Sequence, residues 1–253
     1  MSTNDSQLPC RLIVEGADSG ARQMAVDEVL LEGAAAGGGA TLRFYQWIEP
    51  TLSLGYFQRY AERDAHAASR DCALVRRQTG GGAILHDREL TYSLVSPWAH
   101  PLATDATRLY DAVHQSLIRV LAEMGLNARQ RAVQHTQPAS AQPFLCFQRQ
   151  TMGDVLLGET KICGSAQRRR RGAILQHGSL LLATSTAAPE LPGILEVGGR
   201  ALEAGELAER WGRKIAATIQ LALSPGALSP AECTTASSLG REKYGAELWN
   251  RRR

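Results

Sequence analysis

No stretch of this sequence carries the roughly 20 consecutive apolar residues that a helix needs to cross a bilayer. Its opening, Met1 to Pro9, is polar and lacks the basic-then-apolar order of a secretory signal, so neither membrane insertion nor export is expected. Paired cysteines are missing too. Cys10, Cys72, Cys146, Cys163 and Cys233 are an odd number at irregular spacing with no CxxC pair, which points to no metal site and no disulfide framework. Free thiols in a reducing compartment, the cytoplasm, fit that pattern. There is no GxxxxGK[ST] to cradle a triphosphate, no GxGxxG after a strand, no HExxH and no GxSxG, and four common enzyme classes drop out with them.

What is present is an ordinary globular composition: 253 residues, 44% apolar and 21% charged. That length fits a single domain spanning 1–253, with a core over about 12–223 and a helical extension over 224–253. Net charge is only +3, but the basic side is almost entirely arginine and Arg168 to Arg171 puts four cations in one run. An acidic partner would suit them. Nucleic acid is disfavoured by the modest pI of about 8.7 and by the lack of aromatics interleaved with the arginines. An acidic protein surface and a plain solvated loop remain as equal readings.

Periodicity places helices at Ala21–Glu32, Thr107–Met124 and Glu206–Leu223, the last closed by Pro225, with a further start at Ser229-Pro230 and a small helix over Ala61–Arg70. Short runs rich in aromatic or branched residues read as strands at Thr41–Gln46, Leu52–Tyr56, Leu74–Arg77, Ala83–His86, Thr91–Val95 and Ala173–Leu182. A hairpin over Asp154–Gly164 turns at Gly158-Glu159, and alternation along it sets Lys161, Cys163 and Ser165 on one face. Arg129–Gln142 shows no period and reads as loop. Strands and helices mix without regular alternation, so the expected class is α+β with a mixed sheet and flanking helices.

Two constellations carry chemistry. The first is Arg76-Arg77-Gln78-Thr79-Gly80-Gly81-Gly82 leading to His86, a glycine-rich turn whose N–H groups could face a ligand oxygen. A tight hairpin needing positive φ explains the glycines equally well, and a lone histidine is more often structural than catalytic. The second joins Cys146, Lys161 to Gln167 and Gln176 to Leu182. A lysine in an arginine-rich chain is informative, because a compact ammonium can donate to a carbonyl or favour a thiolate. Most free cysteines are nonetheless small buried apolar residues, and most lysines are solvated charges.

These segments resemble the biotin/lipoate protein ligase superfamily, most closely its cysteine-dependent octanoyltransferases. The matching stretches are Met24 to Glu28, Leu42 to Trp47, Thr51 to Gln58, Arg77 to His86, Glu89 to Ser93, Cys146-Phe147, Lys161 to Arg168 and Leu175 to Leu181, in family order. The resemblance implies a catalytic domain whose glycine-rich turn and lysine-bearing hairpin wall a tunnel for a medium-length acyl chain. It implies that Cys146 takes octanoate from acyl carrier protein as a thioester and hands it to a lysine of the glycine cleavage H protein or another lipoyl domain, without ATP or other cofactor. Lys161 would assist at the carbonyl. Arg77, Gly80, Gly81, Gly82, His86, Gly164, Ser165, Ala166, His177 and Gly178 would bind substrate, and the Arg168 to Arg171 run would dock the acidic carriers.

Phe147 to Met152 lacks the proline-serine pair expected after the cysteine-phenylalanine, and Cys163 stands where valine or serine is usual, which makes Cys163 a rival nucleophile. Alternatives from the same superfamily are an ATP-dependent lipoate–protein ligase and an amidotransferase between lipoyl domains. From another class, a non-catalytic lipoyl-domain binder would keep the fold alone.

Overall fold

A computed structural model describes residues 7–97, 105–132 and 143–253. Its strands are β1 (Leu8–Asp18), largely outside the core, then β2 (Ala40–Trp47), β3 (Thr51–Leu54), β4 (Ala73–Arg76), β5 (Ile84–His86) and β6 (Glu89–Pro97) in chain order, with β2, β3 and β6 buried on both faces. After them come β7 (Ala128–Gln130), β8 (Val155–Leu157), β9 (Thr160–Arg170), β10 (Ala173–Leu181) and β11 (Leu221–Pro225). Eight of these form one sheet in the order β11-β1-β2-β6-β10-β9-β8-β7, and β4-β3-β5 form a second. Pairs β11–β1 and β1–β2 are parallel whereas β2–β6, β6–β10 and β10–β9 are antiparallel, so the α+β class with a mixed sheet is borne out.

Helices cover both faces. On one lie α1 (Gly20–Ala35) and, outside it, the stretch from 230 to 250; on the other lies α2 (Ala106–Glu123), followed in the chain by the short α3 (Ile194–Gly198) and by α4 (Ala204–Ile219). Helix α2 starts at Asp105, whose carboxylate accepts from the Arg108 amide at 3.0 Å, and it presents Leu109, Val113, Leu117, Val120 and Leu121 to the core. Trp211 of α4 is wholly buried between the rings of Phe44 (5.6 Å) and Tyr92 (4.8 Å), and its indole N–H reaches Ser116 at 2.9 Å. Truncating such a side chain costs about 3–5 kcal/mol. Among the described residues no helix is long and apolar enough to cross a membrane.

The structure departs from the sequence expectations in several elements. The helix expected to run to Leu223 ends at Ile219: Gln220 takes a left-handed conformation (φ 57°), and Leu221–Pro225 becomes the edge strand beside β1. Strand β1 was not foreseen, because only Cys10 and Ile13 of its eleven residues are buried and no alternation shows. The small helix of Ala61–Arg70 is instead two 3₁₀ turns, Tyr60–Ala65 and Ala67–Ser69. Of the loop expected over Arg129–Gln142, Arg129 and Gln130 instead belong to strand β7, which pairs with β8, and residues 133–142 lie outside the described residues.

The stretch after Pro225 is bound into the core. Helix α5 (Pro230–Leu239) opens with a capping box between Ser229 and Glu232 and packs on α1, while α6 (Glu247–Asn250) reaches β4. There Asn250 accepts from the Arg76 amide at 2.8 Å and the Trp249 indole donates to the Arg76 carbonyl at 2.8 Å.

Candidate active site

Between the second sheet and the central strands lies a cavity of about 220 Å³. It gathers Cys146, Lys161, Arg77, Gly80, Gly81, Gly82, His86, Gly164, Ser165, Ala166, His177 and Gly178, the residues that the resemblance assigned to catalysis and substrate binding, but not the rival Cys163. Met24, Tyr45, Ile84 and Phe147 supply apolar walls, the mix of apolar lining and few polar groups usual for a small-molecule site.

The glycine-rich turn is shaped from within. Arg77 is buried, and its guanidinium donates to the carbonyls of Ser53 (2.9 Å), Gly80 (2.8 Å) and Gly82 (2.7 Å). Burial pushes its pKa down to about 10. Its hydrogen bonds hold the turn, so its part in the site is largely to shape it. Gly81 sits at φ 94°, a conformation that a side chain strains.

This turn holds the Cys146 segment by main-chain bonds. The Cys146 amide donates to the Ala83 carbonyl at 2.6 Å and the Ala83 amide to the Phe144 carbonyl at 3.2 Å, a one-residue parallel bridge between distant parts of the chain. Cys146 opens a single 3₁₀ turn, Cys146–Gln148, and is partly exposed to the cavity.

Opposite stands Lys161, on β9 and 4% exposed. Its ammonium lies 2.9 Å from the buried Asp154 carboxylate, 3.4 Å from the Cys146 carbonyl oxygen and 3.9 Å from the Cys146 sulfur. Asp154 also accepts from the Thr151 amide (2.7 Å), the Thr151 hydroxyl (3.1 Å) and the Tyr110 hydroxyl (3.1 Å). Burial alone would lower the lysine's pKa, but the charges of Cys146 and Asp154 outweigh it and hold it above the ordinary value. The ammonium therefore stays charged although it is almost fully buried. Gly164 makes room for it: a Cβ there would fall 2.6 Å from Lys161 Cε.

Both candidate histidines are fixed by partners. His177 sits between Thr79 Oγ1 (2.7 Å) and the buried Asp27 (3.1 Å). Burial opposes ionisation of Asp27, yet the His177 hydrogen bond and the Arg43 charge hold its pKa below the usual range. His86 stacks on Trp47 at 3.9 Å, and its Nδ1 faces Glu89 at 2.8 Å. Its Nε2 is buried without a partner among the described residues, and burial lowers its pKa despite Glu89. Ser165 belongs to a buried relay, with Tyr92 (2.8 Å) and His114 (2.7 Å) on its hydroxyl.

The expected common face of Lys161, Cys163 and Ser165 is corrected. In the β8–β9 hairpin Val155 stands opposite Cys163 but Leu156 opposite Lys161, so Ile162 is an inserted residue and the alternation is broken there. Cys163 packs in the apolar core, fully buried, with its thiol pushed far up by burial. Lys161, Gly164 and Ser165 face the cavity. The residue that sequence reading missed is Asp154, visible only as a lone acid opening a hairpin seven positions before the lysine.

Residues 19–201 match the family of the lipoyl protein ligase A/B catalytic domain. Octanoyltransferase LipM of Brevibacillus brevis is 32% identical over 96% of this chain and 99% of that protein. Octanoyltransferase LipM of Kyrpidia tusciae is 35% identical over 96% and 98%. Among solved structures, the bipartite lipoate protein ligase of Thermoplasma acidophilum superposes with a TM-score of 0.75 at 22% identity, covering 96% of each chain. Lipoate-protein ligase A bound with ATP superposes at 0.74 and 24%, over 96% of this chain and 99% of that one. At those identities the structures speak for the fold alone, but the matched span holds every cavity residue named above, and the relatives run nearly end to end with this sequence. The chain belongs to the lipoyl protein ligase A/B catalytic domain family.

Proposed function

We propose that this chain is an octanoyltransferase that moves an octanoyl group from acyl carrier protein, through a thioester on Cys146, to a lysine of a lipoyl domain such as the glycine cleavage H protein. The observation that carries the reading is a sulfur facing a buried ammonium, Cys146 Sγ to Lys161 Nζ at 3.9 Å, at the wall of a largely apolar cavity. Curated relatives covering nearly the whole chain are named octanoyltransferases.

In this scheme the Cys146 thiolate attacks the donor's thioester carbonyl, and the carrier's thiolate leaves as the acyl-enzyme forms. The acceptor lysine, as the free amine, then attacks the Cys146 thioester. Cys146 departs as thiolate, and the proton lost by the amide nitrogen passes to solvent. Each half-reaction exchanges one activated acyl bond for another, or for a more stable amide, so no ATP is consumed. Lys161 stabilises negative charge as it develops on sulfur and on the tetrahedral oxygen, held in place by Asp154. The apolar walls hold the acyl chain. Both carriers and the free thiols are consistent with work in the cytoplasm.

The test is intact mass after mixing with octanoyl-acyl carrier protein, for wild type, Cys146→Ala and Cys163→Ala. An octanoyl adduct lost only in Cys146→Ala is the expected result. No adduct in any of the three, with a lipoyl domain octanoylated only when free octanoate and ATP are supplied, overturns the reading in favour of a ligase. Carrier binding without any transfer favours a non-catalytic binder, and an adduct formed only from an octanoylated lipoyl domain favours the amidotransferase.

A further inference from the structure

The four-arginine run does not form one patch. Arg170 turns back onto α1, pairing with Glu32 at 2.5 Å and lying 3.8 Å from Glu28, and Arg171 takes φ 43° in the turn before β10. Arg168 goes the other way. It lies two residues along β9 from the cavity-lining Ala166, with its guanidinium 5.4 Å from the ring of Tyr56.

Tyr56 and Phe57 sit on the rim of the cavity. The Tyr56 amide donates to the Thr79 carbonyl at 2.8 Å, and a Cβ on Gly80 would lie 3.9 Å from the Phe57 ring. Phe57 is 66% exposed, one of few large apolar side chains left in water. Arg252 and Arg253, nearly 200 residues away in sequence, close over the same pair. Arg252 donates to the Tyr56 hydroxyl at 2.9 Å and stacks at 4.4 Å on its ring, and Arg253 lies 5.3 Å from the Phe57 ring. The Arg252 hydrogen bond, with the charges of Arg168 and Arg253, lowers the Tyr56 pKa. Among the described residues no Asp or Glu side chain forms an ion pair with Arg168, Arg252 or Arg253, and aromatic faces hold them instead.

We infer that this rim of Tyr56, Phe57, Arg168, Arg252 and Arg253 docks the acidic carrier domain that brings the acyl thioester to the cavity. The inference rests on the reading of the cavity as an acyl-transfer site. Three guanidinium groups without a carboxylate partner among the described side chains, gathered around an exposed ring, match a partner bearing surface carboxylates and a phosphate at the root of its thioester arm, since arginine pairs both groups in bidentate fashion. The donor's arm has that phosphate and the acceptor's lysine has none, which selects the donor. Position adds to charge, for a carrier held at the glycine-rich turn has its arm beside Cys146.

The experiment compares wild type, Arg252→Glu/Arg253→Glu, Arg168→Glu and, as a charge control, Arg241→Glu at an exposed site elsewhere. Steady-state transfer is measured with octanoyl-acyl carrier protein, with octanoyl-pantetheine, which carries no protein, and with varied lipoyl-domain acceptor. Reversing the rim should raise KM for the carrier-bound donor about tenfold or more and flatten its salt dependence, as loss of steering charges does. Turnover of octanoyl-pantetheine should stay within about twofold, and the control should behave as wild type. Equal losses on both donors, a rise in acceptor KM alone, or no change would overturn the inference. Binding of unacylated carrier, followed by fluorescence anisotropy, needs no chemistry. If it is lost in the rim variants while wild type transfers nothing, docking stands and the transferase reading falls.

Discussion

Lys161 and Asp154 form an ion pair of 2.9 Å with side chains 3% and 1% exposed, and the lysine's remaining reach is spent on Cys146. A buried charge that loses its partner is costly, whereas the pair itself adds little to stability, so its value lies in where it holds the ammonium. Asp154→Asn keeps the shape and removes the charge. It should cost on the order of 3 kcal/mol, a fall in Tm of about 6–12 °C for a chain this size, and lower octanoyl transfer about 100-fold. Calorimetry and the rate of acyl-enzyme formation check the two parts. Unchanged transfer in a folded variant would show that Lys161 needs no such anchor.

Gly164 offers a cleaner probe, because nothing titrates. A methyl at its α-carbon would sit 2.6 Å from Lys161 Cε and 2.9 Å from Nζ, and the flexible end of the lysine is what can yield. Gly164→Ala should therefore displace the ammonium by about 1 Å, with a loss of about 100-fold in transfer and a stability cost of about 1–3 kcal/mol. Retained activity would mean that the lysine can act from more than one position.

The sequence showed the parts of this site more readily than their arrangement. Glycine runs and a lysine set among arginines are visible as residue types, and α2 and α4 announce themselves through spacing of Leu109, Val113 and Leu117, and of Leu207, Trp211 and Ile215. The inserted Ile162 is invisible, because a bulge is a property of pairing between two strands rather than of either one. Strand β1 and edge strand β11 are stabilised by each other and by β2, not by any local pattern. The role of Arg77 was obscured for a similar reason: its carbonyl partners come from Ser53 on a neighbouring strand and from the turn it folds.

The thiols divide by burial. Cys10 and Cys163 are buried, with Cys10 pushed up to about 12 and Cys163 higher still, while Cys72, Cys146 and Cys233 are partly exposed. Since the thiolate is the reactive form, iodoacetamide on the native protein should add at most three groups, and all five only after denaturation. Peptide mapping of the labelled protein identifies the sites. Native labelling of Cys163 would contradict its place in the core and reopen its claim as nucleophile.

His114 sets an acid limit on stability. Its Nδ1 faces the Gly153 carbonyl and its Nε2 the Ser165 hydroxyl, both at 2.7 Å, and burial pushes its pKa down to about 4. An unfolded chain has this imidazole titrating near 6.5, so between about pH 6.5 and 4 the unfolded state binds the proton that the folded state refuses. Stability from this residue is intact above pH 6.5, falls as the pH drops, and is fully lost below about 4, a swing on the order of 3 kcal/mol. Urea unfolding at pH 7 and pH 4.5 should show a smaller loss for His114→Gln than for wild type. The difference between the two proteins reports the histidine together with its coupling to Asp154 and Asp111. An NMR titration that finds His114 protonated at pH 6 in the folded protein would refute the assignment, and with it the view that the relay under Ser165 runs through a neutral imidazole.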